Sequence, residues 1–254
     1  MVIVSLKWLC YNRKSENKKR GRDTVKTKMR DTVYTFIDRN KHGFLLLYFL
    51  IYLPWFGHLE KTVTTHFHVI HVALDDYIPF CEYFIVPYVL WYVFVVLTIC
   101  YFTLVCKNKK EFYQLMVSLC AGMVVFMIVS LVFPNGQELR PELTGSGVFI
   151  EAVRLLYTID TSTNILPSLH VFEAVACCVA VLENEDCRKK KGLPAATVIL
   201  TVLITLSTMF IKQHTVIDVV AALVLNGVLY LLVYKLPERH QKPFEEAFAK
   251  EQSI

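Results

Sequence analysis

The sequence predicts an all-α fold, a polytopic membrane bundle of six transmembrane helices. Of its 254 residues, 55% are hydrophobic, and the mean hydropathy is +0.44. The apolar residues are gathered into long stretches, and the charged residues occupy short blocks between them. This distribution is typical of a lipid-embedded protein, in which apolar side chains face lipid and charges are confined to loops.

Six apolar stretches are candidates to cross the bilayer, which takes a helix of about 20 residues. The second, third, fifth and sixth have full length, whereas the first and fourth are short. A count of four spans would leave those two as soluble core helices, but almost no soluble sequence remains for them to pack on. The six stretches are Gly43–Leu59, Tyr83–Cys106, Phe112–Phe133, Leu169–Leu182, Leu193–Ile211 and Val216–Leu236.

The basic residues lie mostly on one side of this six-span arrangement. Residues 1–42, 107–111, 183–192 and 235–254 share that side and carry 12, 3, 4 and 4 Lys or Arg, which is 23 of the 27 in the chain. Because cytoplasmic loops keep the excess of positive charge, both termini are predicted to lie in the cytoplasm, beneath the cell membrane.

The chain therefore divides into a basic cytoplasmic N-terminal segment (1–42), a six-span membrane domain (43–236) and a cytoplasmic tail (237–254). Its net charge of +5 is explained by contact with anionic headgroups, since the basic residues lie beside apolar spans. The expected partner is the bilayer, with no nucleic acid. The sequence leaves the oligomeric state open.

Residues suited to phosphoryl chemistry lie in three segments that the six-span topology brings to the outer face. His170 begins the fourth span, and His214 precedes the sixth. Asp218 follows His214 by four residues, so both side chains would share one face if the helix extends back to His214. The three segments are Arg140-Pro141, Pro167-Ser168-Leu169-His170 and the stretch from Ser207-Thr208 through Lys212 and His214 to Asp218.

Each residue type fits a role in transfer of a phosphoryl group. A neutral histidine can attack phosphorus when a carboxylate fixes its other ring nitrogen, and a second histidine can protonate the leaving oxygen. Arg140, Lys212 and Ser168 offer a guanidinium fork, a point charge and a hydroxyl at a helix start for the phosphate oxygens. Alone, Asp218 could simply cap a helix and Pro167-Ser168 begin one. The occurrence of all these residues on the outer side, which has very few cations, favours a catalytic site.

These segments resemble the type 2 phosphatidic acid phosphatase family, the membrane relatives of vanadium-dependent haloperoxidases. That family's pattern is Lys-x6-Arg-Pro, then Pro-Ser-Gly-His, then Ser-Arg-x5-His-x3-Asp. The resemblance implies a haloperoxidase-like core of six spans with an extracytoplasmic site and no metal or cofactor. It also implies a phosphohistidine on His214, with Asp218 orienting it and His170 as general acid. Phosphate would be held by Arg140 and Ser168, with Lys212 and Ser207, the first residue of the third motif, as further expected phosphate-binding residues.

Three positions depart from the family pattern. Phe133 stands where the first lysine is expected, Thr208 where the arginine is, and Leu169 where the glycine is. Lys212 is the one nearby cation that could replace a missing charge. The altered flanks are similar to a divergent branch that includes sphingomyelin and inositol phosphorylceramide synthases, which move a phospho-headgroup between lipids.

The leading functional prediction is hydrolysis of a lipid phosphate or diphosphate by a metal-independent phosphatase. The alternative is transfer of the phosphate or phospho-headgroup to a lipid hydroxyl by the same residues. Motif spacing cannot separate these two, because they differ only in the acceptor that reaches the intermediate. A transport or structural membrane protein is the third class.

Two further sets of residues have competing interpretations. His66, His68 and His71 could bind zinc, but no fourth ligand is evident, so an interfacial loop is favoured. Glu173, one turn after His170, could orient that histidine or contact a polar headgroup.

Several other polar residues are predicted to bind a headgroup or to join two helices. A polyol headgroup could be bound by acidic and amide side chains of the outer side, namely Asp75, Asp76, Asp160 and Asn164. Asn226, deep in the sixth span, is predicted to form a hydrogen bond between helices.

Overall fold

A computed structural model describes residues 41–62 and 66–237, and these are mostly helical, which confirms the predicted all-α class. The predicted N-terminal segment and tail lie almost entirely outside these ranges. The bundle belongs to a compact unit that begins at Leu45. Its helices are α1 (Tyr48–Thr62), α2 (Ala73–Tyr77), α3 (Ile85–Cys100), α4 (Lys109–Val132), α5 (Val148–Ile159), α6 (Leu169–Glu183), α7 (Glu185–Arg188), α8 (Leu193–Phe210) and α9 (Val216–Tyr230).

Shorter elements extend or connect these helices. Two 3₁₀ segments precede α1 and α3, and two π-helical turns follow α3 and α9. The strands β1 and β2 form one parallel pair. These elements are Lys41–Leu47, Glu82–Phe84, Tyr101–Val105, Leu231–Lys235, β1 (His68–Val69) and β2 (Asn135–Gly136).

Within the described ranges, five helical stretches are long and apolar enough to cross a membrane, and they match five of the six predicted spans. The fourth predicted span corresponds to α6, which has only 15 residues. At 1.5 Å per residue, α6 is roughly 22 Å long, shorter than the ~30 Å hydrocarbon core. The five stretches are Lys41–Leu59, Glu82–Val105, Lys109–Val132, Leu193–Phe210 and Val216–Lys235.

Helix α6 is the centre of the bundle. It packs against α3, α4, α8 and α9, and none of its residues is exposed. Its start follows the local sequence, because Ser168 is the N-cap and its hydroxyl accepts a hydrogen bond from Val171 N at 3.4 Å. Alanines at 174, 176 and 180 are buried, and such small side chains let neighbouring helices approach closely.

The crossing of α4 and α6 depends on Gly122. A Cβ atom at this position would lie 2.0 Å from Cζ of Phe172, whose side chain is completely buried. The two helices therefore pack ring against backbone at this point, which explains a glycine inside an apolar helix despite its low helix propensity.

Asn226 forms the predicted hydrogen bond between helices. Its Nδ2 donates to the carbonyl oxygen of Phe172 at 3.1 Å, which joins α9 to α6, and also to Ala222 O at 3.0 Å within α9.

Asn135, in β2, holds together the loops that precede α6. It is fully buried, and its Oδ1 accepts hydrogen bonds from the backbone nitrogens of Ile165 and Leu166, both at 2.9 Å. Its backbone oxygen accepts from Asn164 N at 2.6 Å. Through these bonds β2 fixes the segment that leads into His170.

We expect the substitution Gly122→Ala to destabilise the protein, because the new methyl group would overlap the buried Phe172 ring. Overpacking of this kind costs about 1–3 kcal/mol, and the gain in helix propensity of about 1 kcal/mol offsets only part of it. Thermal unfolding of the protein in detergent micelles measures the effect. The matched control is Gly227→Ala in α9, where no atom lies within 4 Å of the added Cβ. Equal midpoints for the two variants would contradict the close crossing.

Candidate active site

The start of α9 places His214 and Asp218 beside each other in a way that differs from the expected helical turn. Thr215 is the N-cap, so α9 begins at Val216 and His214 lies outside it. Thr215 and Asp218 form a capping box, in which Thr215 N donates to Asp218 Oδ2 at 2.8 Å. The N-cap residue has extended backbone geometry, and this bend turns His214 back over the first turn.

The two histidines predicted to act together are in direct contact. His170 Nδ1 and His214 Nε2 are 3.3 Å apart, and the ring of His214 is 7% exposed. This distance suits a hydrogen bond between the rings but leaves no room for a phosphorus atom between the two nitrogens. A phosphate ester must therefore replace this contact when it binds.

Asp218 lies behind His214 as the sequence predicts. Its Oδ2 is 3.5 Å from His214 Nδ1, and the carboxylate is completely buried. Both His214 Nδ1 and Asp218 Oδ1 are buried, and neither has a hydrogen-bond partner among residues 41–62 and 66–237. Buried polar atoms without partners are rare and need a reason. A shift of a few tenths of an ångström would join these residues, and catalytic hydrogen bonds often tighten only when substrate binds.

The helix starts that carry the two histidines are joined through the backbone. Ser168 N donates to Asp218 O at 3.2 Å, and Ser168 is completely buried. The loop before His214 is held by Thr208 O, which accepts from Gln213 N at 2.9 Å and His214 N at 3.0 Å.

Behind His170 lies a pair of residues that sequence reasoning did not assign to it, Tyr88 and Asp160. The Tyr88 hydroxyl is 2.8 Å from His170 Nε2 and donates to Asp160 Oδ2 at 2.5 Å. Asp160 Oδ2 itself is 3.9 Å from His170 Nε2. No motif contains Tyr88, whereas Asp160 was expected only as a headgroup contact.

Arg140 reaches the site through Gln213 and the loop after α5. Its guanidinium donates to Gln213 Oε1, to Asp160 O at 2.7 Å and to Tyr157 O at 3.2 Å. It also lies over the Tyr157 ring, 4.3 Å from the centroid. Burial raises the pKa of Tyr157 to about 12, although Arg140 acts in the opposite direction. The tyrosine therefore stays neutral, and its hydroxyl donates to Ile211 O at 2.7 Å.

The structure does not bring Lys212 to the histidine pair, contrary to the expected phosphate contact. Lys212 has a positive φ of 53°, and its buried ammonium group donates to Asp75 O at 2.8 Å and Ile78 O at 2.5 Å. Burial lowers the pKa of this ammonium, while the carboxylates of Asp75 and Asp76 act in the opposite direction. Lys212 thus fastens the loop before His214 to the segment after α2.

Ser207 and the departures from the family pattern have local partners. The Ser207 hydroxyl donates to Ile204 O at 2.6 Å within α8, so it is not directed at the histidines. The Thr208 hydroxyl likewise donates to Thr205 O at 2.8 Å within α8. Phe133 stacks on His68 with ring centroids 4.6 Å apart.

A cavity of about 30 Å³ lies beside the histidine pair. One side is apolar and includes Phe56, Phe126 and Leu169, while the other includes Asp160 and Asn164. A volume of this size holds about two water molecules, so a phosphate ester would have to widen it.

Asp75 and Asp76 were also expected to bind a polyol headgroup, but they have other partners. Asp75 accepts hydrogen bonds from Val216 N at 2.8 Å and Val72 N at 2.9 Å. Asp76 pairs with the exposed His71 at 2.8 Å. Their carboxylates therefore support loops and the start of α9.

The histidine cluster and Glu173 stand apart from this arrangement. Among residues 41–62 and 66–237, no group of three or more His, Cys, Asp or Glu side chains could hold a metal ion. Glu173 is buried within α6, one turn beyond His170. Its two predicted roles, orienting His170 or contacting a headgroup, stay predictions.

The comparison with known families gives a match over the part of the chain that carries these residues. The model of the PAP2 superfamily matches residues 139–242. Residues 139–242, about two fifths of the chain, are thus similar to the PAP2 superfamily. PAP2 members are generally enzymes that act on phosphate esters. No curated protein and no solved structure gives a significant match.

The PAP2 match contains every residue that the sequence predicts for the site, from Arg140 to Asp218. Tyr88 lies outside it, on α3. The contact between Tyr88 and His170 therefore joins the PAP2 region to the preceding part of the bundle.

We expect Lys212→Met to lower the stability of the protein, because the carbonyls of Asp75 and Ile78 would lose their donor. Leaving buried polar groups without partners costs about 1–3 kcal/mol each. The thermal unfolding midpoint in detergent measures the loss. Lys189→Met is the matched control, since Lys189 is exposed and pairs only with Glu185. An unchanged midpoint for Lys212→Met would show that its ammonium group does not hold the loop.

Proposed function

We propose that the protein is a membrane phosphatase that hydrolyses a lipid phosphate or diphosphate through a phosphohistidine on His214. The observation that carries the proposal is the contact of His170 Nδ1 with His214 Nε2 at 3.3 Å, with Asp218 buried behind His214. Two histidines and one carboxylate supply a nucleophile, its orienting group and a proton donor.

In the first step His214 Nε2 attacks phosphorus. Asp218 fixes the ring by accepting a hydrogen bond from its Nδ1–H, and it stabilises the positive charge that develops when the N–P bond forms. The completely buried carboxylate favours this role, because the interaction is stronger away from water.

His170 then gives a proton to the leaving oxygen, so that a lipid alcohol departs instead of an alkoxide. A water molecule attacks the phosphohistidine in the second step, and His170 takes back a proton from it. Phosphate is released, and His214 returns to its neutral form.

The phosphate oxygens need positive charge and hydrogen-bond donors around them. Arg140 is the proposed cation. Its guanidinium donates to Gln213, the residue that precedes His214 in the chain. Ser168 supports binding as the N-cap of α6, where backbone N–H groups favour anions. Ser207 and Lys212 contribute through the backbone they hold.

Phosphotransfer to a lipid hydroxyl is the second candidate, and the shortage of cations favours it. Phe133 and Thr208 occupy two positions where the family pattern has Lys and Arg, and Lys212 is engaged elsewhere. The carboxylate of Asp160 also faces the cavity. A phosphodiester carries less negative charge than a phosphate monoester, so it needs fewer cations.

The distribution of Lys and Arg supports a location in the cell membrane with both termini cytoplasmic and the site on the extracytoplasmic side. The proposed chemistry uses only side chains of the chain and needs no metal or cofactor.

We expect His214→Ala to abolish phosphate release, with a loss on the order of 10⁴-fold or more, because no other group replaces the nucleophile. The purified protein would receive phosphatidic acid or a prenyl diphosphate in detergent micelles with chelator present, and free phosphate would be measured. His71→Ala is the control, since it removes an exposed histidine that pairs with Asp76. Full release by His214→Ala would refute the phosphohistidine, and strict dependence on zinc or magnesium would refute the metal-free mechanism.

A separate assay distinguishes transfer from hydrolysis. A phospholipid donor is supplied with diacylglycerol or ceramide, and new phospholipid and free phosphate are both measured. For a phosphatase we expect free phosphate whether or not the acceptor is added. New lipid that forms only with the acceptor, is lost in His214→Ala and comes without free phosphate would establish the transferase instead.

A further inference from the structure

We infer that Tyr88 and Asp160 are positioning residues that favour the protonated form of His170 and aim its Nδ1–H at the leaving group. The inference rests on the proposed function, because it gives His170 the role of general acid. Tyr88 lies on α3, outside the region that matches the PAP2 superfamily, and Asp160 follows α5. Neither belongs to the three motifs of the sequence.

The hydrogen-bond directions follow from counting protons. The Tyr88 hydroxyl has one proton, which it donates to Asp160 Oδ2 at 2.5 Å. Its oxygen is then the acceptor in the 2.8 Å contact with His170 Nε2. That contact requires a proton on Nε2, so Nδ1 is the ring atom left to face His214 and the substrate.

A histidine that also carries a proton on Nδ1 is an imidazolium ion, and its surroundings decide whether that charge is tolerated. Asp160 provides a carboxylate 3.9 Å from Nε2. Tyr88 and Gln213 donate to the Asp160 carboxylate, while Arg140 donates to the backbone oxygen of Asp160 and to Gln213. Burial disfavours a charge on His170. The Asp160 carboxylate opposes that effect, because buried charges persist when they are paired, and Tyr88 accepts from the ring.

The remaining polar groups around His170 come from three helices. From α9 and the loop before it, His214 and Asp218 form the nucleophile pair. Glu173 lies one turn further along α6. From α3, Trp91 packs on His170 with ring centroids 4.3 Å apart. Within the described residues, Asp160 is thus the carboxylate on the Nε2 side of the ring, and Trp91 and Tyr88 hold the ring in place.

The proton balance is simple. While the bond from His214 Nε2 to phosphorus forms and the bond from phosphorus to the leaving oxygen breaks, the proton on His170 Nδ1 moves to that oxygen. His170 becomes neutral and keeps its Nε2–H bonded to Tyr88. When water or a lipid hydroxyl attacks the phosphohistidine, its proton moves to Nδ1 and restores the imidazolium.

The test compares leaving groups that differ in their need for a proton. An alkyl phosphate releases a strongly basic oxygen that needs the acid, whereas a nitrophenyl phosphate releases a stable phenolate that does not. The probes are octyl phosphate and an octyl-substituted nitrophenyl phosphate. Because kcat/KM reports the steps up to leaving-group departure, it is measured for both substrates across pH with the full-length protein in micelles.

We expect Asp160→Asn and Tyr88→Phe to lower kcat/KM for octyl phosphate by about 10- to 100-fold, part of the 10²–10⁴-fold typical of general acid catalysis. The value for the nitrophenyl ester should change less than about threefold, since its bond breaks without the proton. Asp160→Asn should also move the alkaline limb of the octyl phosphate profile to lower pH, because the imidazolium loses its counter-charge. Glu142→Gln, which removes an exposed carboxylate of the loop after Arg140, should alter neither substrate.

An equal loss for both substrates, or an unmoved alkaline limb in Asp160→Asn, would overturn the inference and leave a purely structural role. If Asp160→Asn does not fold, as judged by its unfolding midpoint, Tyr88→Phe gives the same comparison of leaving groups. Failure of the proposed function itself has a different signature, namely that His214→Ala keeps full turnover of both esters.

Discussion

The start of α9 is held by hydrogen bonds from three parts of the chain, and the position of both histidines depends on it. Thr215 and Asp218 cap the helix between themselves, Asp75 accepts from Val216 N, and Ser168 N donates to the Asp218 carbonyl. One short turn thereby connects α9 to α2 and to α6. Asp218 meets two needs at once, since its Oδ2 accepts from Thr215 N in the cap and also lies 3.5 Å from His214 Nδ1.

The two cations nearest to the histidine pair in the sequence motifs are both engaged with backbone or amide oxygens. Arg140 supports the backbone around Asp160 and the amide of Gln213, while Lys212 is turned toward two carbonyls. Two carboxylates lie on opposite sides of the histidine pair, the buried Asp218 behind one ring and the partly exposed Asp160 behind the other. An anionic substrate therefore meets proton donors and one guanidinium, and not a cluster of cations.

Hydropathy predicted the long helices closely, because it sums over some 20 residues and tolerates individual exceptions. The full-length spans end within a few residues of α3, α4, α8 and α9 with their extensions. Hydropathy could not predict contacts between residues that are far apart in the chain. Tyr88 and His170, for example, are 82 residues apart, and no sequence pattern links them. Lys212 shows the opposite error, because closeness to His214 in sequence suggested a shared target, whereas its positive φ turns the side chain away.

The enclosure of α6 has a consequence for how the protein tolerates different membranes. Hydrophobic mismatch acts on helices in contact with lipid, which tilt or distort the bilayer when their length does not suit its thickness. Because no residue of α6 is exposed, its 15 residues need not match any thickness. A change in lipid composition therefore affects the helix that carries His170 only indirectly, through the packing of the helices around it.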